Sequence, residues 1–299
     1  MFDKYRKEMF YKYNQAKNYF IDNPNDLIEI EHFATDIVVK YIRKYLEEFI
    51  SDYNYASYSY PFWKNYPPEN RGRSPVGDQI PWIEVGEHSV GHKLSRLISK
   101  DFRIREIGLP SGADNRFLLF SDEISKITGG YTDSCFIFLD IKSVGPRDNF
   151  EHTVLSPYQV SGDGKWETVT QDLENSSMLA SGKKTFHTFY PAISPIYIIP
   201  DDKNGFITAP TIHLFVKPIY GMLNIHNPLG NGQPLEEIEV ICLPNGLLLT
   251  KNPNYLNKYP GLVFPGKDDK GKDNRKRRAR ISFEVLSDIA NWRVQKIKC

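Results

Sequence analysis

The stretch that most narrows what this chain can fold into is SCFIFLDIK, residues 134–142. Apolar residues run unbroken from Cys135 to Leu139, the signature of a central strand covered on both faces. A charged pair, Asp140 and Lys142, closes the run. Residues two apart on a strand point to the same face, so Asp140 and Lys142 project together while Ile141 turns to the packed side. An acidic and a basic group at the end of a buried strand cost desolvation energy unless they pair or serve a site.

The rest of the chain supplies cover for such a strand. In 26–51, Leu27, Ile30, Phe33, Ile37, Tyr41, Leu46 and Ile50 recur at roughly helical spacing, with Pro24 near the start, where a helix tolerates it. An aromatic stretch, 53–68, and a Gly/Pro/Arg loop, ENRGRSPVGDQ, precede a second helical segment at 81–99. The period then changes: 102–109, 116–120 and 134–142 read as strands, 143–184 as polar connection, and 193–199, 206–220, 236–250 and 281–286 as further strands before a short tail. Helices first and strands later predict an α/β fold with a central mixed β-sheet flanked by helices. The 299 residues, 40% of them hydrophobic, can fill one core. The expected organisation is one unit, 1–299, with a helical part at about 1–100, a catalytic core at about 101–150 and DNA-reading and C-terminal strands at about 190–299.

Charge and thiols bound the function. A formal net charge of +1 means that a polyanion partner has to be met by one locally basic face. Cys135, Cys242 and Cys299 are odd in number and match no zinc or redox spacing, which points to a reducing compartment. No apolar stretch suits a signal peptide or a membrane span, so a soluble cytoplasmic protein without membrane contact is expected.

The chemistry centres on carboxylates. A phosphodiester cutter needs hard oxygen ligands for Mg²⁺ and a cation near the attacked phosphate. Asp140 and Lys142 supply one of each. Asp-x-Lys recurs at Asp163/Lys165, Asp201/Lys203 and Asp268/Lys270, but in polar, turn-like settings where solvated charge is the ordinary explanation. A second acid, Asp114, lies in the turn GLPSGAD that leads into a strand, where it can reach a neighbouring strand's end. Glu84 and Glu87 on the preceding helix can add an acidic group, although a structural or solvated glutamate is the simpler reading of each. His88 and His92 have zinc-ligand spacing but no third ligand. The tyrosines of 53–66 can stack on bases, with packing or a subunit contact the plainer role. No P-loop, dinucleotide fingerprint or nucleophile motif is present.

Residues 267–280, KDDKGKDNRKRRAR, hold eight basic and three acidic residues; a disordered tail or solvated loop is the plain reading of a basic run alone, but this one is interleaved with aspartates and can form the basic face that the overall charge lacks. The run flows into a strand on which Arg278 and Arg280 share one face.

Together Asp114, Asp140 and Lys142 follow the order of the PD-(D/E)xK nucleases. The segments GDQIPWIEVGE (77–87), REIGLPSG (105–112), LDIKSVGPRD (139–148), LSPYQVSG (155–162), HLFVKPIYGM (213–222), PNGL (244–247) and PGKDD (265–269) resemble the BglI family of type II restriction endonucleases. Ala113 stands where the wider motif has its proline, which is not a ligand. The resemblance implies that Asp114, Asp140 and the Ile141 carbonyl hold Mg²⁺ and that Lys142 orients or activates the attacking water. It implies base reading by Asp148, Lys267, Asp269, Arg278 and Arg280, residue types that suit G·C pairs. The implied site is GCCNNNNNGGC, cut as duplex DNA by a homodimer to leave 5′-phosphates and a short 3′ overhang, with a cognate DNA methyltransferase as functional partner. Asp148, just after the active strand, would couple reading to cutting. Two rivals remain at this point: a sequence-specific DNA-binding protein without catalysis, and a metal-dependent hydrolase of small phosphorylated substrates.

Overall fold

The computed structural model describes residues 2–64, 85–144, 150–163, 178–181, 186–201, 205–221, 234–265 and 277–299. Three helices come first: α1 (Phe2–Asp22), α2 (Pro24–Lys44) and α3 (Leu46–Lys64). Pro24 opens α2, where its missing N–H costs nothing, and Arg43 and Lys44 sit in the last turn, where the helix dipole favours cations. Leu27, Ile30, Ala34, Ile37, Val38, Tyr41 and Ile42 form its buried stripe. One acid lies in that stripe. Glu31, fully buried, accepts from Arg293 Nη2 at 2.6 Å and from the Asn245 N–H at 2.6 Å, so α2 is fastened to two distant points of the chain. Tyr53, the first of the aromatic stretch, packs inside on Tyr220; the loop at 69–79 lies outside the described residues. No helix among the described residues is long and apolar enough to cross a membrane.

The expected central mixed sheet is present, with helices against it. Its strands are β1 (Arg103–Glu106), β2 (Asn115–Phe120), β3 (Ser134–Ile141), β7 (Ile196–Asp201), β8 (Gly205–Tyr220), β9 (Leu235–Leu243) and β12 (Val294–Lys298). The order is β1-β2-β3-β8-β9-β12. The β3–β8 pair is parallel and every other pair antiparallel. The 16-residue β8 pairs with β7 over its first part and then passes between β3 and β9. Every residue of β3 is buried, as a strand covered on both faces requires. Cys135, Ile137, Leu139 and Ile141 meet the core shared with the helices, whereas Phe136 and Phe138 join a smaller cluster with Ile107, Leu118, Ile193 and Ala209.

Four readings of the chain need correction. The strand expected at 236–250 ends at Leu243, and Asn245 caps a helix, α6 (Gly246–Thr250), by accepting the Leu247 N–H. The strand expected at 281–286 runs instead from Ala279 to Ser282 (β11), where the Ser282 hydroxyl accepts the Val285 N–H and starts a helix, α8 (Phe283–Ile289). The tail is not loose: β12 pairs with β9, and its Lys296 and Lys298 reach Glu239 and Glu237. Within the supposed polar connection, β4 (His152–Leu155) is a strand that joins β11 and β10 (Val263–Pro265) in a small antiparallel sheet. A hairpin of β5 (Met178–Ser181) and β6 (Phe186–Phe189) follows it in the chain.

Between α3 and β1 the chain is helical from Val85. It takes one π turn, Glu87–Gly91, and continues as α4 (His92–Ile98). Such π turns occur often at functional sites. Gly91 explains the close approach here: a Cβ on it would lie 2.8 Å from Ile141 Cγ1 and 3.1 Å from Asn115 Nδ2. The absence of a side chain thus seats this turn directly on the end of β3.

Candidate catalytic centre

In the antiparallel β2–β3 pair Asn115 lies opposite Leu139, which sets the preceding Asp114 level with the end of β3. The Asp114 carboxylate accepts the Ile141 N–H at 2.6 Å, taking the place that a longer β2 would fill with a backbone carbonyl. The Lys142 N–H turns the other way, to the Val216 carbonyl on β8 at 2.8 Å. Asp114 thus lies at the end of the strand that carries Asp140, near enough for the two carboxylates to repel each other.

Asp140 is buried and doubly engaged. Its Oδ2 lies 2.7 Å from Lys142 Nζ, and its Oδ1 accepts Gln159 Nε2 at 2.8 Å. Burial pushes its carboxyl above the usual range; Lys142 pulls it back and Asp114 adds to the rise. Glu87, on the π turn, belongs to the same electrostatic group. Burial and then Asp114 raise its carboxyl, with Asp140 adding and His88 and Lys142 opposing. Of the expected site residues, Asp114, Asp140, Ile141 and Lys142 are thus brought together, with Lys142 itself partly exposed.

The other candidates fall elsewhere. Arg278 precedes β11 exposed, and Arg280 sits within β11 opposite Val154 of β4 and Phe264 of β10. Asp148, Lys267, Asp269 and Glu84 lie outside the described residues. The His88 and His92 rings stack 5.4 Å apart, and no set of three His, Cys, Asp or Glu among the described residues is placed to hold a metal alone. Asp163, read as solvated charge, is instead partly buried and paired with Lys17 and Lys251 at 2.5 and 2.9 Å. An open pocket of about 440 Å³ lies beside Asp114, lined by His92, Arg96, Glu106 and Arg116. A larger one, about 680 Å³, lies at the far end of β2 around Phe120 and Asp133, away from the carboxylates.

Gln159 is the residue that sequence reasoning missed. It ends a short 3-10 turn, Pro157–Gln159, and its Oε1 accepts the Ser156 N–H at 2.9 Å. The spacing Ser156-x-x-Gln159 is a capping signature, but nothing local signals its contact with Asp140.

Oxygen donors of this kind suit a hard divalent cation. Mg²⁺ is commonly held by one or two carboxylates, completed by water and substrate phosphate, so two neighbouring acids without a full protein cage fit it.

Comparison with known proteins finds relatives over nearly the whole chain. Residues 8–297 match the family model described as restriction endonuclease BglI. The type II restriction enzyme BglI of Bacillus subtilis is 45% identical over 293 residues, covering 97% of this chain and 96% of that protein. A crystal structure of restriction endonuclease BglI bound to its DNA recognition sequence superposes with a TM-score of 0.87 at 44% identity, over 100% of this chain and 99% of that one. The tetrameric restriction endonuclease SfiI, solved with cognate DNA, shares the fold with a TM-score of 0.60 at 15% identity, over 92% of this chain and 85% of that one.

Proposed function

The chain belongs to the BglI family of restriction endonucleases, and from that premise we propose that it is a magnesium-dependent type II enzyme cutting both strands of DNA at a specific sequence. The observation that carries the reading is the buried Asp140 carboxylate at the end of β3, with Lys142 on one oxygen, Gln159 on the other and Asp114 docked on the next peptide.

Asp114 and Asp140 would hold the Mg²⁺. In an extended strand a residue's N–H and C=O point to the same side, so the Ile141 carbonyl shares the edge on which Asp114 sits and is the third oxygen. When bound, Mg²⁺ would offset charge on the phosphate oxygens and make the attacking water more acidic. Among the described residues Lys142 is the cation paired with Asp140, and it orients that water against the phosphate. Glu87 supplies further negative charge from the π turn.

Recognition belongs to Arg278 and Arg280 at β11, joined by Asp148, Lys267 and Asp269. Arginine and lysine donate to guanine O6 and N7, and a carboxylate accepts from cytosine N4. These residue types suit G·C pairs, and the family resemblance implies GCC half-sites in a site GCCNNNNNGGC. A two-fold sequence calls for a two-fold dimer with one active site per strand. The expected products carry 5′-phosphates, the setting is the cytoplasm, and a methyltransferase of the same specificity protects the host DNA.

Digestion of a plasmid of known sequence tests this reading. With Mg²⁺ the protein is expected to give discrete fragments whose ends map to GCCNNNNNGGC, and none in EDTA. Binding without cutting would make it a reader of DNA only. Failure to bind duplex DNA at low salt would favour a small phosphorylated substrate.

A further inference from the structure

We propose that Gln159 is the positioning residue of the catalytic centre, fixing the Asp140 carboxylate and tying it to the strand that carries Arg280. The inference rests on the nuclease reading above.

The Gln159 amide has one way to point. Its Oε1 is taken by the Ser156 N–H at 2.9 Å, which leaves the NH₂ group to donate to Asp140 Oδ1 at 2.8 Å. The backbone beneath it is held from several sides. The Gln159 N–H bonds the Ser156 carbonyl at 3.0 Å. The Ala192 N–H bonds the Pro157 carbonyl at 2.7 Å, and the Ile193 N–H bonds Val160 at 3.2 Å. Ser161 Oγ accepts the Gly246 N–H at 2.8 Å. On its other side the turn touches the Asp114 loop. Gly112 there has φ +121°, and a Cβ on it would collide with the Tyr158 backbone. The turn carrying Gln159 is thus wedged between the two acidic residues' supports.

Upstream, Ser156 follows β4 directly. Leu155 pairs with Ala279 and Val154 with Arg280, so β4 moves with β11. From Arg280 to Asp140 the path is one strand pairing and two hydrogen bonds. A base contact that shifts or orders β11 therefore re-aims the carboxylate. With Oδ1 held by Gln159 and Oδ2 by Lys142, rotation of that carboxylate is set from both sides, and its remaining lone pairs face the site.

Capping is the competing role, because Glu serves a capping box as well as Gln does. Gln159→Glu keeps the acceptor for the Ser156 N–H but replaces the donor toward Asp140 with a second carboxylate. Gln159→Met keeps the shape and removes both bonds. Single-turnover cleavage of a site-bearing duplex is expected to fall roughly 10- to 100-fold in both variants, the usual effect of losing an outer-shell partner. The Kd for that duplex in EDTA is expected to stay within about twofold of wild type, since the loss is in the reacting state and not in DNA binding. Mn²⁺ binding to the DNA-free protein, read by electron paramagnetic resonance, is expected to weaken about tenfold in Gln159→Met. The cleavage penalty for one changed base pair in the half-site should also shrink in that variant. Full activity in Gln159→Glu would make the residue a cap alone and overturn the proposal. So would unchanged cleavage in Gln159→Met. An undiminished base-pair penalty would overturn the link to β11. If Gln159→Met does not fold, Gln159→Glu decides. A wild-type protein that cut no DNA would contradict the nuclease reading instead, and the Mn²⁺ titration, which needs no cleavage, would still decide the role of Gln159.

Discussion

The Asp114 carboxylate accepts the Ile141 N–H at 2.6 Å, so an acidic residue of the centre also completes the backbone bonding of the strand that bears the other. The two roles separate by substitution. Asp114→Asn keeps an acceptor for the N–H and loses the charge. Its melting temperature is expected to stay near wild type while cleavage falls at least about 100-fold. Asp114→Ala also strands the N–H and should lose a further 1–2 kcal/mol or so of stability. Thermal unfolding of both variants beside a cleavage assay checks this; equal stability losses would contradict it.

Asp140 sits in its place at a cost to the metal-free fold. Burial raises its carboxyl, so above the ordinary carboxylate pKa the folded state is disfavoured relative to the unfolded chain, which ionises freely. The penalty grows as pH rises from the ordinary value through the raised one. Asp140→Asn, which still offers Gln159 an oxygen, should therefore melt a few degrees higher than wild type at neutral pH in EDTA, and the gain should vanish near pH 4. Cleavage should be lost. A lower melting temperature at pH 7 would contradict the account.

Gly91 tests the seating of the π turn. Alanine in a helix gains up to about 1 kcal/mol over glycine, but overpacking costs about 1–3 kcal/mol. With a Cβ 2.8 Å from Ile141 and 3.1 Å from Asn115, the second effect wins. Gly91→Ala should be less stable and should cut more slowly while binding DNA as before. A stabilised, fully active variant would show that the approach is not tight.

His213, opposite Phe138 on β8 and two residues from the strand partner of Asp140, sets an acid limit of its own. It is fully buried against Phe138, neither ring nitrogen has a hydrogen-bond partner among the described residues, and burial lowers its pKa to about 3. Below about pH 6.5 the unfolded chain takes a proton that the folded one refuses, so stability falls as pH drops from there toward 3. At pH 5 the loss is about 2 kcal/mol, or about 4 °C in melting temperature. His213→Phe should flatten the melting temperature between pH 7 and pH 5 by that amount. An unchanged slope would assign the acid sensitivity elsewhere.

The parts of this structure that were legible in the sequence are those set by local pattern. The unbroken apolar run of β3 announced a strand covered on both faces, and the two-residue period placed Asp140 and Ile141 on opposite sides before any contact was known. The leucines at 247–249 read as the end of a strand because strand and helix interiors look alike over so short a run; the Asn245 cap makes them a helix. The β12 strand, VQKIK, hid behind its lysines, which is how an edge strand is protected. Gln159 was out of reach for a different reason. A neutral side chain carries no local sign of its partner, and its meeting with Asp140 depends on β4 pairing with β11, more than a hundred residues away in the chain.

The most direct test of the central claim is the same plasmid digestion in Mg²⁺ with wild type and Lys142→Ala side by side, together with DNA binding in EDTA. Lys142 is the cation on Asp140, so its removal should raise the Asp140 carboxyl further, but its side chain is partly exposed and the variant should still fold and bind DNA. The account predicts discrete fragments from wild type, cleavage slowed at least about 100- to 1000-fold in the variant, and equal binding by both. A Lys142→Ala protein that cuts as fast as wild type would contradict it.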